Sequence, residues 1–123
     1  MRKIVRENRL NVVVGVGGGS AIDTAKATAY YEKLPVVIIP TVVATDAPCT
    51  GLSVIYNDDE TFKQLFILIP KTRKLLFVDS DVIAKSPVKF LVAGMGDALG
   101  TYFEARACQR TMRKPGIWWY YKI

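Results

Sequence analysis

The apolar residues of this chain fall into short runs separated by turn residues and helical patterns. The run at residues 11–16 is rich in β-branched side chains and free of charge, which predicts a parallel strand buried on both faces. Residues 36–39 predict the next parallel strand, because the spacing of about two dozen residues fits a βαβ unit. Residues 75–79 predict another buried strand, ending in a carboxylate. This order of elements predicts an α/β layer fold.

A glycine turn and a helix are predicted between the first two strands. Three consecutive glycines at 17–19 must turn the chain. Ser20 can then cap a helix, and Asp23, three residues later, can reach back toward the cap amide in a capping box. Ile22 would face the sheet together with a row of small side chains, namely Ala21, Ala25 and Ala29.

The later part of the pattern predicts a hairpin. Residues 53–56 and 62–69 flank the polar turn at 57–60, as the two strands of a β-hairpin would.

Two helices are predicted after the hairpin and the following strand. Pro87 can open a helix that Gly94 and Gly96 interrupt, and a second helix is predicted from Asp97 to about Cys108. The aromatic cluster at residues 117–121 would be an interface or an aggregation hazard if it were exposed.

Composition is that of a single globular domain, since half of the 123 residues are hydrophobic. The apolar runs are far shorter than the roughly 20 residues that a membrane span needs, and no targeting segment is recognisable, so we expect a cytoplasmic protein without a membrane partner. Cys49 and Cys108 form no C-x-x-C pair and are expected to be reduced thiols.

Charge and histidine content narrow the possible functions. The net charge of +6 is typical either of a protein with an acidic partner or of part of a molecule whose acidic part lies elsewhere. Because the basic residues are scattered and no aromatic-basic motif is present, we expect no nucleic-acid partner. The chain has no histidine, so the commonest general base and metal ligand is missing.

The turn after the first strand is close to the dinucleotide-binding fingerprint. Gly15, Gly17 and Ser20 stand at the positions of the three small residues, between a predicted strand and a predicted helix. Glycines let the backbone approach a pyrophosphate, whose charge is stabilised by the positive end of the helix. The alternative is a tight strand-to-helix turn without a ligand.

Four separated motifs carry a more specific resemblance. They are Gly-Gly-Gly-Ser-Ala-Ile-Asp-Thr-Ala-Lys at 17–26, Pro-Thr at 40–41, Thr-Asp-Ala-Pro-Cys at 45–49 and Gly-Met-Gly-Asp-Ala at 94–98. In this order they resemble the glycerol dehydrogenases of the iron-containing alcohol dehydrogenase superfamily, from about Val12 to Ala107. The loop at 45–48 favours the polyol branch over the glycerol-1-phosphate dehydrogenases and dehydroquinate synthases.

The resemblance implies a set of site residues. Those that would bind NAD are Gly18, Gly19, Ser20, Ala21, Ile22, Asp23, Thr41, Val42, Val43, Ala44, Thr50, Leu52 and Tyr56. Asp46 would be catalytic by binding the polyol hydroxyls, and Asp97 would be catalytic as the carboxylate ligand of a divalent metal, zinc in preference to iron. From the residues alone, Asp97 could instead cap its helix and Asp46 could form an Asx-turn.

The resemblance also implies a domain organisation. Residues 1–86 would form the later part of a Rossmann-like, dehydroquinate synthase-like NAD-binding domain with a parallel sheet. Residues 87–108 would start an all-helical metal-binding domain, and residues 109–123 are a divergent tail. The other metal ligands would be histidines that this chain lacks, and the full-length family is expected to form homo-oligomers.

The expected activity is oxidation of glycerol or a related vicinal diol to the hydroxyketone, with glycerol giving dihydroxyacetone and NAD accepting the hydride. The isolated chain is expected to be incomplete and inactive. Two alternatives stay open, namely a non-catalytic nucleotide-binding fragment and a non-functional truncated product.

Overall fold

The computed structural model describes residues 1–57, 62–67 and 74–111. Its elements in chain order are α1 (Arg2–Glu7), β1 (Val13–Gly17), α2 (Gly19–Glu32), β2 (Val36–Pro40), β3 (Leu52–Tyr56), β4 (Phe62–Ile67), β5 (Lys74–Leu76), α3 (Ser80–Ala84) and α4 (Val88–Thr111). The predicted α/β class is confirmed.

The strands form two separate sheets. One is parallel, with the strand order β1-β2-β5, and its register pairs Val13 with Val36 and Gly17 with Pro40. The other is the predicted hairpin, in which β3 and β4 are antiparallel and Val54 pairs with Leu65. Residues 58–60 of the predicted turn and residues 68–69 of the predicted second strand lie outside the described residues.

Burial of the parallel sheet is one-sided, so the prediction that its outer strands are buried was wrong. In β1, Val13 and Gly15 are buried beneath α2, whereas Val14 is 52% exposed. Leu75 in β5 is 60% exposed. The reason is that α2 covers one face of the sheet, and no other element in the described part of the chain buries the opposite side of β1.

The core lies between α2 and the first two strands. Ile22, Ala25 and Ala29 of the helix pack with Val13, Val36 and Ile38 of the sheet. Small side chains on this face let the helix lie close to the strands, as the pattern predicted. Ala21 was wrongly placed on this face, since it is exposed.

The predicted capping box is absent from the start of α2. Gly18 is the N-cap residue, the cap has no side-chain hydrogen bond, and Ser20 is exposed. Asp23 is buried instead, and its Oδ2 accepts from the backbone N–H of Val54 (3.0 Å). The carboxylate that could have reached back to the helix start therefore binds the hairpin.

A single helix replaces the two helices predicted after Pro87. The helix α4 has 24 residues and runs without a break through Gly94, Gly96 and Asp97. A glycine inside a helix costs only about 1 kcal/mol relative to alanine, so a helix of this length tolerates several. Pro87 directly precedes it and accepts a hydrogen bond from the N–H of Phe90 (3.0 Å). Residues 112–123, with the aromatic cluster, lie outside the described residues.

The short helix α1 is attached to the end of α2 by charged side chains. Arg2 Nε and Arg6 Nε each donate to the Glu32 carboxylate at 2.7 Å. Hydrogen bonds from Arg6 and then Arg2 lower the pKa of Glu32 to about 2. Asp79 caps α3 by accepting from the N–H of Asp81 (2.9 Å) and of Val82 (3.1 Å).

No helix within the described residues is long and apolar enough to cross a membrane.

Candidate functional site

The site begins at the turn between β1 and α2. Gly17 has a φ of 141°, a backbone conformation that favours glycine, and this turns the chain out of the strand. Gly18 then caps α2, whose 14 residues start at Gly19. Because the first N–H groups of a helix lack partners within it and carry the positive end of its dipole, this turn suits an anionic ligand.

A cavity of about 370 Å³ opens beside this turn. It is lined by residues from the turn and α2, the loop after β2, the hairpin and α4: Gly19, Ser20, Asp23, Thr45, Asp46, Ala47, Thr50, Leu52, Val54, Tyr56 and Asp97. Thus six of the predicted cofactor-binding residues and both predicted catalytic residues, Asp46 and Asp97, surround one space.

The other predicted cofactor residues do not line this cavity. Gly18 is the helix cap just before it, Ala21 is exposed, and Thr41, Val42 and Ala44 are half-buried in the loop that leads to Asp46. Val43 lines the neighbouring cavity described below. The Ile22 side chain lies in the core, and its N–H donates to Gly18 O (3.1 Å).

The loop after β2 is held in a tight turn by its own backbone. The carbonyl of Asp46 accepts from the N–H of Cys49 (2.9 Å) and of Thr50 (3.2 Å), while Ala47 N donates to Thr45 Oγ1 (3.1 Å). Asp46 thus closes the turn with its main-chain oxygen, and this residue is exposed at the rim of the cavity.

Asp97 faces the loop from the middle of α4. Its Oδ2 accepts from the N–H of Asp46 (3.1 Å), so the alternative in which Asp97 caps a helix is wrong. The two predicted catalytic residues, 51 positions apart in sequence, are therefore in direct contact.

Gly94 permits this contact between α4 and the loop. A Cβ atom at Gly94 would lie 1.9 Å from the carbonyl oxygen of Val43, a distance that no side chain can adopt without displacing backbone. The helix therefore approaches the loop closely only because this position has no side chain.

A second cavity of about 350 Å³ lies between the loop and α4. Its lining consists of Val43, Thr45, Asp46, Leu91, Gly94, Met95, Asp97 and Ala98. It shares Thr45, Asp46 and Asp97 with the first cavity. These three residues form the boundary between the space beside the helix turn and a more apolar space against α4.

The donor set does not suffice for a metal centre. Within residues 1–57, 62–67 and 74–111, no three His, Cys, Asp or Glu side chains cluster where they could hold a metal ion. A catalytic zinc site usually has three protein ligands. Asp97 can supply one oxygen ligand, and the sequence contains no histidine to add to it. A dinucleotide fits better, because the glycine turn and helix start meet the needs of a pyrophosphate.

Lys26, whose side chain is fully buried, was not among the predicted site residues. Its Nζ donates to the carbonyl of Ala47 (2.7 Å) and to that of Leu52, and it lies 2.8 Å from Asp23 Oδ1. A signal was available in the sequence: Lys26 stands four residues after Ile22 and three before Ala29, which places it on the buried face of the helix.

Three residues that line the first cavity were also missed, namely Thr45, Ala47 and Val54. Thr45 and Ala47 flank Asp46 in sequence, and Val54 lies two residues from both Leu52 and Tyr56 in an extended strand, whose alternate side chains share a face. All three residues could have been predicted from their positions next to predicted site residues in the sequence.

The sequence and the fold were compared with known proteins. Residues 1–80 match the family model described as iron-containing alcohol dehydrogenase. Over 104 residues the chain is 53% identical to a glycerol dehydrogenase of Thermotoga maritima. The aligned region covers 85% of this chain and 28% of the relative. The chain therefore spans less than a third of the length of this curated relative.

Solved structures give the same picture. A probable glycerol dehydrogenase from Sinorhizobium meliloti superimposes with a TM-score of 0.79 at 43% identity, covering 85% of this chain and 29% of that one. A sulfoacetaldehyde reductase from Bifidobacterium kashiwanohense in complex with NAD⁺ superimposes with a TM-score of 0.67 at 26% identity, covering 80% of this chain and 31% of that one.

Proposed function

Because this chain belongs to the iron-containing alcohol dehydrogenase family, we propose that it is the cofactor-binding part of an NAD-dependent dehydrogenase of glycerol or a related vicinal diol. The observation that carries the proposal is that the start of α2, Asp46 and Asp97 line the same cavity. A cofactor phosphate at the helix start and a polyol at the aspartates would share this space. The similarity to glycerol dehydrogenases supports the choice of substrate.

NAD would bind with its pyrophosphate at the glycine turn. The backbone of residues 18–22 forms the start of the helix, and the half-buried loop residues 41–44 follow the adjacent strand β2. Thr50, Leu52 and Tyr56 line the same cavity, and the rest of the cofactor would lie against them. Asp23 also lines the cavity, but both of its carboxylate oxygens face groups of the protein itself.

The polyol would bind at Asp46, which lies exposed at the boundary of the two cavities. Carboxylate oxygens accept hydrogen bonds from hydroxyl groups, which suits a vicinal diol. Asp97 would be one ligand of a divalent cation, zinc in preference to iron, and further ligands would have to come from outside the described residues. We further propose that the protein is cytoplasmic, that it forms a homo-oligomer, and that it has no nucleic-acid or membrane partner.

A second candidate is a nucleotide-binding module without catalysis. It is favoured by the difference between the two parts of the site, since the glycine turn is fully formed whereas the described residues contain no cluster of metal ligands. Binding of NAD without turnover would distinguish this candidate from the dehydrogenase.

Calorimetric titration of the chain with NAD tests the proposal, together with an assay for NADH formation from glycerol with added Zn²⁺. In Gly19→Val the new side chain would point toward Thr45 and enter the cavity, since a Cβ at Gly19 lies 3.4 Å from Thr45 Oγ1. We expect saturable binding that this substitution weakens by about tenfold or more.

Gly100→Ala is the matched control, because a Cβ there meets nothing within 4 Å. A folded chain that binds no NAD would contradict both candidates. Binding that Gly19→Val and Gly100→Ala affect equally would contradict the assignment of this cavity.

A further inference from the structure

A buried ion pair on α2 holds the wall of the cavity. Lys26 and Asp23 lie one helical turn apart, with 2.8 Å between Lys26 Nζ and Asp23 Oδ1. Lys26 also donates to the carbonyls of Ala47 and Leu52, and Asp23 Oδ2 accepts from the N–H of Val54. Together the pair binds the main chain at both ends of the segment 47–54.

The chemistry of the ammonium group suits this position. A lysine Nζ has three N–H donors and no acceptor, and here it meets three oxygens, from Ala47, Leu52 and Asp23. A buried charge is stable only when it is paired and hydrogen-bonded. The planar guanidinium of an arginine is larger and directs its donors differently.

Lys26 does not line the cavity itself, whereas four residues of the segment that it binds do: Ala47, Thr50, Leu52 and Val54. They line it together with Gly19 and Ser20. We infer that Lys26 is a positioning residue that fixes the segment 47–54 against the bound cofactor through the carbonyls of Ala47 and Leu52. This inference rests on the proposed function for its ligand.

The two halves of NAD should respond differently to Lys26. The pyrophosphate would lie at the glycine turn, which belongs to β1 and the start of α2 and receives no hydrogen bond from Lys26 Nζ. The nicotinamide ring must approach the diol to about 3–3.5 Å for hydride transfer, so it would lie near Asp46 and the segment 47–54. Loss of Lys26 should therefore weaken contacts to the nicotinamide half and spare those to the ADP half.

The experiment compares the chain with its Lys26→Met variant, which keeps the length of the side chain and removes the charge. Lys85→Met is the matched control, since Lys85 is exposed. The double variant Asp23→Asn, Lys26→Met removes both charges and carries the same test if the single variant does not fold. Two properties are measured: hydrogen exchange of individual amides without ligand, and the affinities for NAD and for ADP-ribose.

We expect faster exchange in residues 47–54 of the Lys26 variants and unchanged exchange in residues 17–22. The affinity for NAD should fall by about tenfold, the effect of one lost hydrogen bond, while that for ADP-ribose is retained. Unchanged exchange, or an equal loss of affinity for both ligands, would overturn the inference. If the unmodified chain binds neither ligand, the proposed function fails, and the exchange measurement alone decides the role of Lys26.

Discussion

The helices α2 and α4 both border the cavity, yet only α2 is packed into the domain. Seven residues of α2 are buried, namely Ile22, Asp23, Ala25, Lys26, Ala27, Thr28 and Ala29. The helix α4 has 24 residues, ten more than α2. Among those of its residues whose burial the structure describes, none is buried, and apolar side chains such as Leu91, Met95 and Leu99 are exposed. Apolar content alone therefore does not decide whether a helix is packed.

The difference divides the candidate site into two unequal parts. Within residues 17–56, Asp23 and Lys26 bind β3 and the end of the loop before it by hydrogen bonds, and Gly17 O accepts from the N–H of Thr41 at the start of that loop. The helix α4 contributes Asp97, whose contact with the loop depends on the close approach at Gly94. The part that would bind the cofactor is thus formed locally, whereas the part that would bind a metal is held by few contacts.

Truncation of one apolar side chain in each helix would sharpen this comparison most. Ile22 is fully buried and Leu99 is 61% exposed. Ile22→Ala should lower the free energy of unfolding by about 2–5 kcal/mol, because it leaves a cavity in the core. Leu99→Ala should change it by no more than about 0.5 kcal/mol. Urea unfolding measures both, and equal losses would show that α4 is packed as tightly as α2.

A smaller effect is expected from alanine substitutions at two glycines of α4. Gly94→Ala should lower the free energy of unfolding by about 1–3 kcal/mol, since the new methyl group overlaps the Val43 carbonyl and forces the helix away from the loop. Gly96→Ala, where a Cβ meets nothing within 4 Å, should raise it by about 0.5–1 kcal/mol through its higher helix propensity. Thermal unfolding measures both variants. Two changes of the same sign would argue against the contact between α4 and the loop.

Much of the fold could be predicted because local patterns decided it. The β-branched runs became the parallel strands β1 and β2, and the segments on either side of the predicted polar turn became the strands of a hairpin. The predicted capping box did not form because its carboxylate makes other hydrogen bonds. Asp23 could have accepted from the cap amide, but its buried carboxylate instead contacts Val54 N and Lys26 Nζ. Burial on the second face of β1 could not be judged from its own residues, since it depends on what covers them.

For the site, the motifs named residues that line one cavity, but they did not indicate which contacts hold that cavity together. The resemblance placed Asp46 and Asp97 in one site, and the structure joins them by a hydrogen bond. It also drew attention to Gly94, although the helix continues through this glycine instead of ending there. Lys26 belongs to the motif at 17–26, yet the carbonyls that it binds lie more than 20 positions away, and the sequence pattern does not specify them.

The proposed cofactor site lies between the glycine turn and the hairpin. Titration of ¹⁵N-labelled chain with NAD, followed by amide chemical shifts, tests it most directly. We predict shifts in residues 17–23 and 50–56 and at Asp46, with little change along the exposed face of α4 at Leu99 and Phe103. Shifts confined to α4, or a titration without shifts in a folded chain, would contradict this account.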